Sequence, residues 1–112
     1  MKPSRGDVWF VDFNPTRDRE QAGIRPAIII SVDEFNYGPA DLVAVLPVTT
    51  KDKGIPLHVI IKPPEGGLKN KSFIKCEDIR TITKERLINF SGKVSSDTLE
   101  AIEERLRIFL NL

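Results

Sequence analysis

Residues 7–13 read DVWFVDF, and this stretch decides the fold that we expect. Apolar residues occupy both sets of alternating positions, so both faces of a strand here would be largely apolar. A strand that is buried on both faces fits a small closed barrel. The turn residues Asn-Pro-Thr at 14–16 predict where this strand ends.

More short strands follow, separated by turn residues. They are rich in β-branched and other apolar residues, and we predict them at 25–32, 41–48, 56–62, 72–78, 79–82 and 88–94. Residues 33–39 predict an irregular turn, and Thr83 is expected to cap a helical turn over 84–87. Many short strands at close intervals are typical of a small barrel or sandwich.

The last segment predicts an α-helix, capped by Ser96 or Asp97. Apolar residues recur in it at helical spacing, namely Leu99, Ile102, Leu106 and Phe109. We expect this stripe to pack on the barrel or on a second subunit. The predicted fold class is therefore α+β, mainly β with one C-terminal helix.

The composition is that of one globular domain over residues 1–112. Hydrophobic residues make up 40% and charged residues 29%, which argues against disorder. The single cysteine, Cys76, allows no internal disulfide, so we expect a reducing, cytoplasmic location and a small buried side chain. No apolar run has the length of about 20 residues that a membrane span needs, so no membrane contact is predicted.

The residue types that an active site in this chain could use are found by elimination. His58 is the only histidine, so a two-histidine ribonuclease site is excluded. Gly66 and Gly67 do not lie between a strand and a helix as a phosphate-binding loop requires, and no three-carboxylate metal cluster is evident. An enzyme built from this chain would use arginine, hydroxyl and carboxylate groups, without a metal or cofactor.

Two loops concentrate such groups. Residues 14–27 hold Arg17, Arg19, Glu20, Gln21 and Arg25, and residues 47–54 hold Thr49, Thr50, Lys51 and Lys53. Each loop adjoins the end of a predicted strand, where side chains can converge. The net charge is only +1, so an RNA-binding function would need the positive charge to be concentrated in one groove.

Four segments, in order, resemble the MazF/PemK toxin family: RGDVWFVDFNPT, EQAGIRPAIIIS, VLPVTTKDKG and CEDIRTI. The resemblance runs from Arg5 to the C-terminal helix. It implies an SH3-like barrel and a homodimer that cleaves single-stranded RNA, including mRNA, without a metal. It also implies a cognate antitoxin whose disordered tail binds the toxin.

The same resemblance implies the site residues. The catalytic arginine and threonine of the family fall on Arg25 and Thr49, and Glu20 falls near the active site. In one branch of the family an arginine and an aspartate take part in cleavage, and here these positions are Lys75 and Glu77. That branch also has a histidine where this chain has Arg19, so no imidazole is available there.

These residue types suit RNA cleavage by the 2′-hydroxyl. Arg25 would stabilise the phosphorane charge, Thr49 would donate to a non-bridging oxygen, and Glu77 or Glu20 would accept the proton. Lys51, Lys53 and Lys75 are expected to contact the RNA, together with Arg17, Arg19, Gln21 and Thr50. The predicted products are a 2′,3′-cyclic phosphate and a 5′-hydroxyl.

Two other hypotheses stay open from the sequence. Toxins that resemble CcdB share this barrel but bind DNA gyrase without nuclease activity, and fold alone does not decide function. The Arg25 and Thr49 pair argues for the ribonuclease group. The departures at Lys75 and Glu77 leave room for a catalytically inactive RNA-binding barrel.

Overall fold

The protein is described here from a computed structural model that covers residues 2–14 and 23–112. Seven strands form the sheet: β1 Asp7–Asp12, β2 Ile24–Ile29, β3 Leu42–Thr49, β4 His58–Ile61, β5 Ser72–Lys75, β6 Arg80–Thr83 and β7 Leu87–Lys93. The α-helices are α1 Asp33–Asn36 and α2 Ser96–Leu110, and 3-10 turns span Glu65–Gly67, Cys76–Asp78 and Lys84–Arg86.

The strands pair antiparallel in the order β4-β5-β3-β2-β1-β7, and β6 pairs with the first half of β3. The predicted α+β class is confirmed. The sheet is a barrel only loosely, because the path from β4 to β7 is open. The Glu65–Gly67 turn lies against β7 instead, where Ser91 Oγ donates to the Gly66 carbonyl at 2.8 Å.

The strand predicted through residue 78 ends early, at Lys75. Across β3, Val48 pairs with Ile74 and Val45 pairs with Arg80. Two residues of β3 lie between Val45 and Val48, whereas five residues lie between their partners Ile74 and Arg80. The three extra residues leave the ladder as the Cys76–Asp78 turn, and this bulge carries Glu77, one of the predicted site residues.

The central sheet has an apolar cluster on each face. One cluster contains Val8, Ile28, Leu46 and Ile102, so α2 covers this face. The other contains Trp9, Ala27, Ile29, Val43 and Val45, together with Ile82 of β6. Because neighbouring residues of a strand point to opposite faces, each strand of the centre contributes to both clusters.

Helix α2 begins one residue earlier than predicted. The N-cap is Ser95, whose Oγ accepts from the Thr98 backbone N–H at 3.2 Å, so Ser96 and Asp97 are not the cap. Glu65 Oε2 accepts from both Ser95 N and Thr98 Oγ1, which ties this cap to the rest of the fold. The apolar stripe packs on the sheet up to Leu106, whereas Phe109 is exposed.

Two smaller predictions also differ. Residues 33–36 form the short helix α1 and not an irregular turn. Thr83 precedes the Lys84–Arg86 turn, but its side chain makes no capping hydrogen bond, and β7 starts at Leu87. No helix in the described part of the chain is long and apolar enough to cross a membrane.

Candidate active site

Arg25 and Thr49 lie on the neighbouring strands β2 and β3, two residues beyond the last pair that these strands form. Ala27 pairs with Pro47, and Ile28 pairs with Leu46. The pairing ends there, and the same register, if extended by two residues, would set Arg25 opposite Thr49. Directly opposed residues of antiparallel strands have Cβ atoms about 4.5–5.5 Å apart, close enough for both side chains to contact one phosphate.

The surroundings of this pair suit a group that meets a ligand. Arg25 is exposed near the start of β2, and Thr49 is partly buried at the end of β3. On its other side Thr49 pairs with Phe73 of β5, which is buried. Thr49 Oγ1 accepts from the Lys51 backbone N–H at 3.2 Å, so its own O–H remains a donor.

Lys75 belongs to a charged group on the side of β3 that pairs with β5 and β6. Its Nζ lies 3.4 Å from Asp78 Oδ2, and Arg80 Nη2 donates to this same oxygen at 2.7 Å. We refer to Lys75, Asp78 and Arg80 as the shared-carboxylate group. It carries two positive charges and one negative charge.

Glu77 is held by the one histidine. His58 Nε2 lies 2.9 Å from Glu77 Oε2, and since a carboxylate accepts, the ring nitrogen is the donor. The His58 side chain is 3% exposed and the Glu77 side chain 26%. His58 also pairs with Lys75 across β4 and β5. The two acidic residues of the bulge therefore contact neighbouring side chains: Glu77 contacts His58, and Asp78 contacts Lys75.

Cys76 lies between these polar groups but is not a nucleophile. Burial, together with the smaller effect of the nearby negative charge of Glu77, raises the pKa of its thiol to about 12, and Arg105 partly opposes this shift. The thiolate needed for attack is therefore scarce at neutral pH. Cys76 is fully buried in the apolar cluster under α2, as predicted.

The loop after β3 presents the remaining predicted cations. Thr50, Lys51 and Lys53 are all exposed. Thr50 also lines a cavity of about 400 Å³ on the opposite face of the sheet, between Phe10 and Lys69. Four further predicted residues, Arg17, Arg19, Glu20 and Gln21, lie outside the described residues.

Three residues of this region were not predicted as site residues: His58, Asp78 and Arg80. The sequence places His58 within the strand predicted at 56–62, and its partner Glu77 is 19 positions away in sequence. The bulge brings Asp78 into contact with Lys75 and Arg80, and no alternation of apolar and polar residues in the sequence predicts this bulge. Among residues 2–14 and 23–112, no three His, Cys, Asp or Glu side chains are arranged to hold a metal ion.

The family is shown by a comparison with family models. The model of the PemK-like, MazF-like toxin of type II toxin–antitoxin systems matches residues 4–110. The chain belongs to this toxin family. The match covers both segments that carry the Arg25 and Thr49 pair.

Individual relatives of this toxin agree with that assignment. It is 35% identical over 113 residues to Endoribonuclease EndoA of Bacillus subtilis (strain 168), covering 100% of this chain and 97% of that protein. The MazF crystal structure from Deinococcus radiodurans is similar with a TM-score of 0.86 at 25% identity, covering 100% and 99%. A mycobacterial endoribonuclease in complex with its cognate antitoxin gives a TM-score of 0.79 at 25% identity, covering 99% and 95%.

Proposed function

We propose that Arg25 and Thr49 form the catalytic centre at which this toxin cleaves single-stranded RNA. The chain is an endoribonuclease of the PemK-like, MazF-like family, as its family match and its 35% identity to EndoA indicate. The observation that supports the site assignment is the pairing of Ala27 with Pro47, because the same register, extended by two residues, would set Arg25 opposite Thr49. They then approach one phosphodiester from two strands.

The reaction that fits these groups uses a nucleophile supplied by the RNA. The 2′-oxygen bonds to the adjacent phosphorus, the bond from phosphorus to the 5′-oxygen breaks, and one proton moves from the 2′-hydroxyl to a base. The leaving 5′-oxygen takes up a proton. The products are a 2′,3′-cyclic phosphate and a 5′-hydroxyl, and no metal takes part in this scheme.

Arg25 and Thr49 would act on the charge that develops at phosphorus. A guanidinium offers planar, fixed donors that match two phosphate oxygens. The Thr49 hydroxyl still has its proton to donate, because its oxygen accepts from Lys51 N. Preorganised donors of this kind are often the largest contribution to an enzymatic rate.

The base is either Glu20 or Glu77. Glu77 has a fixed orientation, because His58 holds one of its oxygens from a buried strand position. Its bulge lies beside β3, between the segments that pair with Val48 and with Val45. Glu20 belongs to the segment that leads into Arg25. The variants E20Q and E77Q identify the base. In the variant that lacks it, the pH profile of the cleavage rate should no longer show a group that must be deprotonated.

Other polar residues would hold the RNA strand. We assign this role to Thr50, Lys51 and Lys53 of the exposed loop, to Lys75, and to Arg17, Arg19 and Gln21. Such contacts to phosphate and sugar orient the strand without reading its sequence. The preferred cleavage sequence would be set by the loops around the catalytic pair.

We further propose a cytoplasmic homodimer that an antitoxin neutralises. A similar mycobacterial endoribonuclease has been solved with its cognate antitoxin, which supports the antitoxin partner. Cleavage of mRNA would inhibit translation when the antitoxin is absent.

Incubation of the purified toxin with a long single-stranded RNA in EDTA tests this function. We expect discrete fragments that end in a cyclic phosphate and a 5′-hydroxyl, and no cleavage of DNA. Intact RNA would contradict the proposal, and inhibition of DNA gyrase by the toxin in a separate supercoiling assay would support the gyrase-binding alternative.

A further inference from the structure

A cavity of about 400 Å³ lies beside the proposed catalytic pair. Pro26 and Thr50 line it, and these residues directly follow Arg25 and Thr49 in the chain. Its volume falls within the range of about 300–1,000 Å³ that is typical of ligand sites. We refer to it as the Phe10 cavity, after the aromatic residue in its lining.

The cavity and the side chain of Arg25 lie on opposite faces of β2. Residues of a strand alternate between the two faces, so Arg25 shares the face of Ala27, which belongs to the second apolar cluster. Pro26 shares the face of Ile28, which belongs to the first. Neighbouring Cα atoms are about 3.8 Å apart. A nucleotide with its phosphate at Arg25 can therefore turn its base over the end of the strand into the cavity.

The walls of the cavity are fixed in the absence of a ligand. One wall is the sheet itself, where Phe10 of β1 pairs with Pro26 of β2. Another is the segment 67–70, which packs closely on β7, since a Cβ atom at Gly67 would lie 2.1 Å from the Ser91 carbonyl oxygen. A preformed cavity avoids much of the ordering cost of binding.

The lining matches a nucleobase, which is apolar on its faces and polar along its edge. Phe10, Pro26 and Leu68 supply apolar surface, and the Phe10 ring is partly exposed. Asn70 is exposed, and no hydrogen bond within the described ranges engages its side-chain amide. Ser72 Oγ donates to the Asn70 carbonyl at 2.9 Å, so this hydroxyl oxygen can still accept. Proteins recognise single-stranded RNA by aromatic stacking and by hydrogen bonds to base edges.

A phosphate fits this cavity less well than a base does. Lys69 is the one charged residue among the described residues of its lining, and it is exposed. The apolar wall of Phe10, Pro26 and Leu68 offers no hydrogen-bond donor to an anion. A phosphate there would lose its hydration without replacement, which is costly.

We propose that the Phe10 cavity binds a base of the substrate RNA that adjoins the scissile phosphate. The base stacks on Phe10, and Asn70 forms hydrogen bonds to its edge. The inference rests on the proposed function and makes both residues specificity-determining. The Asn70 amide offers two donor hydrogens and an acceptor oxygen, so it distinguishes bases by the groups along their edges. The cavity then sets part of the preferred cleavage sequence.

The test combines the removal of a base with the removal of its partner residue. The substrates are an RNA that the wild type cleaves and two copies with an abasic ribonucleotide immediately 5′ or 3′ of the scissile bond, which keep the 2′-hydroxyl. We expect one abasic substitution to lower kcat/KM of the wild type by about 5- to 150-fold, the range for loss of one stacked base. In F10L and N70A the same substitution should cost much less, because the contact is already lost.

Two controls complete the design. F10Y retains the aromatic ring and should show the wild-type abasic loss, which a merely structural role of Phe10 does not predict. E104Q changes an exposed residue of α2 outside the cavity and should also show the full loss. N70A changes an exposed side chain, so the test stands even if F10L folds poorly. A smaller abasic loss in either variant supports the base site, and losses as large as that of E104Q in both overturn it.

This failure is distinguishable from a failure of the proposed function. A wild type that cleaves RNA, with R25A inactive and the full abasic loss in F10L and N70A, would overturn only the base site. A wild type that leaves the unmodified RNA intact would overturn the proposed catalytic function itself.

Discussion

His58 Nε2 lies 2.9 Å from Glu77 Oε2, and the other polar atoms of both side chains, His58 Nδ1 and Glu77 Oε1, are buried without a hydrogen-bond partner in the described structure. Each residue is thus the polar partner of the other. Removal of one leaves the second desolvated and unpaired, which costs more than the hydrogen bond itself contributes.

We therefore expect H58A to lower the free energy of unfolding by about 1–3 kcal/mol, measured by urea denaturation. E77Q, which keeps an oxygen that can accept from Nε2, should cost less than H58A. A double variant, H58A/E77A, should cost less than its two single variants added together. Full additivity would show that the pair is not coupled.

The strands of this fold were largely predictable, because apolar alternation and turn residues report burial directly. The helix cap was not. Ser95, Ser96 and Asp97 are all good N-cap residues, and only the tertiary contact of Glu65 with Ser95 N selects the first. Local sequence offers three equivalent starts, and a residue 30 positions away decides between them.

The candidate site was predictable to a similar extent. Arg25 and Thr49 lie near the ends of strands that the sequence predicted, and the structure makes these strands, β2 and β3, neighbours. The contacts of Lys75 and Glu77 were not predictable, since they depend on three residues leaving the ladder between β5 and β6. A bulge depends on how two strands pair with each other, and the sequence of one strand alone does not contain that information.

Gly67 belongs to the turn that lies against β7 and should not tolerate a side chain. Its φ is +71°, and a Cβ atom there would lie 2.1 Å from the Ser91 carbonyl oxygen of β7. We expect G67A to destabilise the fold by about 2 kcal/mol or more, measured by chemical denaturation. Gly54 is the matched control, because its φ is +64° but no atom lies within 4 Å of its Cβ position. Equal losses for G54A and G67A would contradict the steric argument.

The Cys76 thiol should not react with thiol reagents in the folded protein. With a folded pKa of about 12, against an ordinary value of 9.0, the thiol stays protonated at pH 8. A thiol reagent should therefore label Cys76 only in denaturant. Between these two pKa values the unfolded state loses its proton first, so stability should fall as the pH rises from 9 toward 12. Rapid labelling of the native toxin at pH 8 would contradict this account.

A double-mutant cycle on single-turnover RNA cleavage tests most directly whether Arg25 and Thr49 together form the catalytic centre. We predict that R25A lowers the rate by about 100- to 1,000-fold and that T49V, which removes only the hydroxyl, also lowers it. The R25A/T49V double variant should lose less than the product of the two single losses, because both groups act on one phosphate. Wild-type rates in both single variants, with folding intact, would show that the opposed residues of β2 and β3 are not the catalytic centre.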